Sequence, residues 1–130
     1  MAASVPGLVI SLEANSDMSA DQYKPVNVVV GTVDFRVEVA TDNATDRVVG
    51  VLQNKPSGAG RAATVQVSGI SRMIASAAIS AGKLVCPTTS GRVQEATTGD
   101  VSMGVLLDSP GAAGDICSVL LLPSHGPVLA

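Results

Sequence analysis

Apolar and polar residues alternate singly along much of this chain. From Thr32 the order Thr-Val-Asp-Phe-Arg-Val-Glu-Val sets Val33, Phe35, Val37 and Val39 on one side and Asp34, Arg36 and Glu38 on the other. That period of two predicts a strand with one buried and one wet face. Ahead of it, Lys24-Pro25 opens a β-favouring run over residues 26–30, closed by Gly31. Residues 41–46 read as a turn, because Asn and Asp side chains hydrogen-bond nearby backbone and tolerate left-handed dihedrals. A further strand starts near Arg47. Residues 8–12 read as one short strand, and the polar stretch 13–24 as a loop or arm. Residues 79–85 and 88–93 predict two strands around Ser90-Gly91. In residues 71–80 the alanines allow a helical turn, but Ile70, Ile74 and Ile79 between Gly69 and Gly82 favour strand and turn. Prolines and glycine make residues 124–130 an irregular tail.

The most informative pattern is an internal repeat. Gly50-Val51-Leu52 recurs as Gly104-Val105-Leu106, Pro56 as Pro110, Gly60 as Gly114, Val65 as Val119 and Val67 as Leu121, all 54 residues apart (104 − 50 = 54). Each copy, 50–67 and 104–121, reads as a strand ending in Gly-Val-Leu, a Pro/Gly/Ala loop and a returning strand. The predicted fold is all-β: a single small β-barrel or β-tulip-like domain with an N-terminal arm and little or no helix. Its divisions are an N-terminal strand or arm at 1–24, a barrel-like domain at 25–123 containing the repeat, and a C-terminal tail at 124–130.

Composition sharpens this. The chain has 130 residues, enough for one core and too few for two ordinary domains. It is 46% hydrophobic and 15% charged, with Tyr23 and Phe35 its only aromatics. Such a chain, rich in Val, Ala, Leu and Ile, predicts surface hidden against copies of itself or a partner. The net charge is −3 and the basic residues are spread singly, so nucleic acid is not expected as a ligand. No apolar run approaches the roughly 18 residues of a membrane-spanning helix, and residues 1–12 lack the basic start of a secretory signal. A soluble protein made in a cytoplasm is the expectation.

Candidate chemistry is sparse. His125, the one histidine, lies in the tail with no Ser or Cys and acid arranged beside it in sequence. Cys86 and Cys117 are the only cysteines and read as small buried hydrophobes. One His and two distant Cys make no metal cluster, and Asp42 and Asp46 lack calcium-loop spacing. Gly58-Ala59-Gly60-Arg61-Ala62-Ala63 matches a dinucleotide fingerprint by letter, but a β-rich stretch follows where a helix is needed. Asn43-Ala44-Thr45 is a glycosylation sequon by letter and reads as turn. Glu13, Glu38 and Glu95 fall in separate elements, with no special setting for acid catalysis. No catalytic, cofactor or metal residues are predicted, and a non-enzymatic role is expected.

Over residues 47–122 the chain resembles capsid decoration (cement, or head-stabilising) proteins of tailed bacteriophages. The resemblance is carried by Gly50-Val51-Leu52, the stretch 63–70 (Ala-Thr-Val-Gln-Val-Ser-Gly-Ile), the stretch 78–85 (Ala-Ile-Ser-Ala-Gly-Lys-Leu-Val), Gly91-Arg92-Val93 and Gly104-Val105-Leu106. It implies a compact β-domain on the outside of an expanded head, commonly a homotrimer, that fastens major capsid protein subunits in the virion without cofactor or catalysis. Leu8, Val9, Ile10, Leu12 and Tyr23 are the candidate capsid or inter-subunit contacts, and residues 1–20 are expected to be dispensable for folding. The alternatives are a small assembly or binding module of a tail fibre or bacterial surface structure, and an enzyme whose active site is shared between subunits.

Overall fold

A computed structural model describes residues 5–31, 33–42 and 46–122. The sequon at 43–45, His125 and the tail at 124–130 lie outside the described residues. Among the described residues the eleven strands are β1 (Val5–Pro6), β2 (Val9–Ala14), β3 (Pro25–Val28), β4 (Arg36–Val39), β5 (Val48–Leu52), β6 (Ala62–Gln66), β7 (Gly69–Ile74), β8 (Leu84–Pro87), β9 (Val93–Glu95), β10 (Gly104–Leu106) and β11 (Ile116–Leu121). Among the described residues there is no helix, so the protein is all-β as its alternation predicts.

Strands β2-β4-β3-β5-β6 close into a barrel, and β1-β7-β11-β10-β8-β9 form a six-stranded sheet. That sheet curls, and one parallel bridge, Ala75 to Val93, ties β9 back to the end of β7. Both units are built on one plan. Val51 faces Gln66 and Leu52 faces Val65 across β5–β6, as Val105 faces Leu120 and Leu106 faces Val119 across β10–β11. Beyond the ladders, Gln53 N–H donates to Thr64 O and Leu107 N–H to Ser118 O. Asn54 Oδ1 then accepts Thr64 N–H as Asp108 Oδ1 accepts Ser118 N–H, both at 3.0 Å. Every one of these pairs keeps the 54-residue offset. The earlier strands match too: Ala14 pairs in parallel with Val37 as Ala75 does with Val93. The chain therefore holds two five-stranded units in tandem, β2–β6 and β7–β11, with β1 added to the edge of the second.

The two units share packing. One cluster, with Ala14, Met18, Val26, Val37, Leu52 and Val65, fills the closed barrel. The other joins Met73, Val85, Met103, Leu106 and Val119 of the second unit to Ala40, Val48 and Val51 of the first. Strand β5 can serve both cores because its ladder with β3 shifts register between Val26 and Asn27, turning Val48 and Val51 to the same side. The junction is pinned by the buried amide of Gln66, whose Nε2 donates to Ser68 O at 2.9 Å and Ile70 O at 3.1 Å.

Several local expectations shift. Phe35 belongs to the buried face by alternation, but it is 70% exposed and φ is 62° there, so β4 starts only at Arg36. Val33 is also exposed, while Val37 and Val39 do turn inward. Residues 71–80 are strand only as far as Ile74, and the expected strand at 79–85 is a turn through Gly82 before β8. Residues 9–14, read as part of an N-terminal strand or arm, run inside the barrel between β4 and β6.

Candidate interaction surface

The loop between β3 and β4 is where the two units differ most. In the first unit Val29 N–H donates to Arg36 O at 2.9 Å, and in the second Thr88 N–H donates to Arg92 O at 2.8 Å. These equivalent bonds enclose residues 30–35 in one case and 89–91 in the other, so the first loop is three residues longer. The short loop is polar and self-contained, with Thr88 Oγ1 accepting the N–H groups of Ser90 and Arg92. The long loop reads Val-Gly-Thr-Val-Asp-Phe and turns its apolar side chains outward.

Val30 is 97% exposed, Phe35 70%, and Val28 and Val33 44% each. Val28, Val33 and Phe35, with Leu12, Val29, Gly31 and Asp34, border an apolar groove of about 440 Å³. On the other side of the Val28–Val30 ridge lies a second groove of about 400 Å³, bordered by Asn27, Val49, Asp46 and Arg47. A contiguous apolar patch on a small soluble fold marks a binding surface more reliably than scattered exposed side chains do.

Backbone geometry points to the same loop. Tyr23 at φ 68° and Phe35 at φ 62° are the described non-glycine residues in the left-handed region. Their counterparts in the second unit are Gly82 and Gly91, at φ 90° and 77°. A bulky residue in that region costs about 1–2 kcal/mol. Tyr23 keeps the fold's own bond there, its N–H donating to Leu52 O at 2.7 Å as Gly82 N–H donates to Leu106 O at 2.7 Å. Phe35 gains no burial in return for its strain. Strain without a structural return is characteristic of functional positions.

The residues expected as contacts are spread out. Leu8 and Val9 are exposed near the crossover, Ile10 and Leu12 pack against the barrel core, and Tyr23 is half-buried at the turn into β3. Leu12 alone of the five also borders the apolar groove. Val28, Val30, Val33 and Phe35 escape sequence reasoning because alternation assigns the last two to the core. The comparison of residues 28–36 with 87–92, once aligned by the repeat, is the signal that separates them.

Elsewhere polar groups are used structurally. Asp46 Oδ2 caps the N–H groups of Thr41 and Asp42, and Asp100 Oδ2 caps that of Thr97, again 54 residues on. Cys86 and Cys117 are both buried and unpaired. Burial lifts the Cys86 thiol to about 11, with the Gln94 amide pulling it back and Asp100 raising it further. Burial and then the Asp108 carboxylate take Cys117 to about 11. No group of three or more His, Cys, Asp or Glu is placed to hold a metal among the described residues.

This architecture defines a small all-β protein of two tandem barrel-like units with an apolar loop surface on the first. Neither a protein-family model nor a curated protein matches the chain. Among solved structures it is similar to the head fibre gp8.5 N base of bacteriophage phi29, with a TM-score of 0.69 at 12% identity, covering 92% of this chain and 97% of that one.

Proposed function

We propose that this chain is a non-enzymatic structural protein of a tailed-phage virion, bound as a homotrimer to the outside of the expanded head, where it cements neighbouring major capsid protein subunits. The observation that carries the reading is the fold shared over nearly the full length of both chains with a base protein of a phage head fibre. The resemblance of residues 47–122 to decoration proteins leads to the same place by a separate route. An apolar surface without a deep polar pocket suits this work, because many modest contacts repeated over a shell accumulate into firm attachment.

A second reading is that of a base anchoring a longer head fibre, favoured by the neighbour's being an N base. Both readings share attachment to the head. The test is co-sedimentation with expanded, undecorated heads of the parent phage, with unexpanded heads as control. Saturable binding at a fixed ratio to the coat subunit, selective for expanded heads, is the expected result. No binding across the concentration range overturns both readings.

A further inference from the structure

We propose that residues 28–31 and 33–35 of the first unit are the docking surface for the coat subunit, and that they receive an apolar segment of it that carries a Lys or Arg. This rests on the head-binding reading above and names the face and the chemistry of the contact.

The internal repeat supplies its own control. The two units share ladder register, loop caps and turn bonds, so a feature present in only one is not demanded by the fold. The β3–β4 loop is such a feature: three residues longer than its counterpart, apolar where that one is polar, and ending on a strained aromatic where that one ends on Gly91. Exposed Val30, Val33 and Phe35 lose contact with water only when another molecule covers them. Large side chains set around a groove act as anchors in protein interfaces.

Charge identifies the occupant. Asp34, exposed beside Phe35, makes no hydrogen bond or ion pair with a described residue, and it is the one ionisable group bordering the apolar groove. On β4, Arg36 faces Glu13 at 3.8 Å and exposed Glu38 accepts from the Asn27 amide at 3.3 Å. The neighbouring groove is bordered by one base, Arg47, and one acid, Asp46. The groove is thus apolar with one carboxylate, Asp34, on its border, and it is complemented by a segment whose apolar side chains fill the groove while a basic side chain meets Asp34.

The test measures affinity for expanded, undecorated heads with the wild-type chain and the variants Phe35→Gly, Val30→Ser, Asp34→Asn and, as control in the second unit, Leu107→Ser. Glycine relieves the backbone at position 35, and Val30 touches little, so both variants fold. The expected result is a loss of roughly tenfold or more for Phe35→Gly and Val30→Ser, a flatter salt dependence for Asp34→Asn, and no change for Leu107→Ser. Wild-type binding matched by Phe35→Gly and Val30→Ser overturns this inference and leaves the head-binding reading standing. Absence of wild-type binding overturns that reading itself. A fall in oligomeric mass by light scattering for Phe35→Gly, with unchanged head affinity, assigns the patch to contacts between copies and also overturns the inference.

Discussion

At Gly50 and Gly104 a side chain is forbidden by the neighbouring strand. A methyl at Gly50 would strike Gln66 O, and one at Gly104 would strike Leu120 O, both backbone atoms that cannot swing aside. Glycine inside a strand marks such a close approach. Gly104→Ala and Gly50→Ala are each expected to lower unfolding stability by about 1–3 kcal/mol in urea titrations, whereas Gly58→Ala, with open space around it, leaves stability nearly unchanged. The cysteines give a pH signature. In the folded chain both thiols stay neutral until about 11, while the unfolded chain ionises near the ordinary value of 9.0. A folded pKa raised above the unfolded one contributes stability that is intact below pH 9 and is lost between pH 9 and 11. The slope is at most about 1.4 kcal/mol per pH unit for each thiol. Urea unfolding at pH 8 and pH 10.5 should show this loss, reduced in the double variant Cys86→Ala and Cys117→Ala. An equal loss in the double variant would assign the effect to other groups. Residue-level reading of the sequence succeeds for Cys86, Cys117 and Val37. It fails for Phe35, because a left-handed residue breaks an alternation that a string of letters does not reveal.

At the scale of elements, β2 carries the largest correction. Its residues pair with β6 from Val9 to Glu13 and with β4 at Glu13 and Ala14. Ala14 is fully buried and Ala14 N–H donates to Arg61 O at 2.9 Å. Removing this strand opens the barrel along two ladders and bares its core. Deletion of residues 1–14 is therefore expected to abolish the cooperative unfolding transition followed by circular dichroism; a truncated chain that melts as wild type does would contradict the closed barrel. In sequence, residues 8–12 look detachable because their partner, β6, lies about fifty residues downstream and no local pattern announces a parallel pairing with β4. Hairpin-like pairs were more legible: β5 with β6 and β10 with β11 follow from Gly-Val-Leu, a Pro/Gly loop and an apolar return. The β8–β9 turn was also visible at Ser90-Gly91, though its strands start several residues later than alternation implies, since Gly82 spends residues 80–83 on a turn.

For the whole molecule, the 54-residue offset says more than any motif. Two like units in tandem share packing across β5, which serves both core clusters, and the crossover from β6 to β7 is held by Gln66. Sequence alone shows the second half of each unit as a repeat, because Gly, Pro and core Val are tightly constrained there. It hides the first half: β2 to β4 and β7 to β9 keep backbone pairing while their side chains diverge, and the β3–β4 loop is three residues longer than its counterpart. That divergence within a common frame is what gives the first unit an apolar β3–β4 loop where the second has a polar one. The measurement closest to the central claim is a cryo-electron microscopy reconstruction of expanded heads of the parent phage, saturated with the purified protein and set against undecorated heads. The account predicts added density on the outer surface, large enough for three two-unit chains at each site, with residues 28–31 and 33–35 against the coat subunits. Heads without added density, or density confined to the tail or neck, would contradict it.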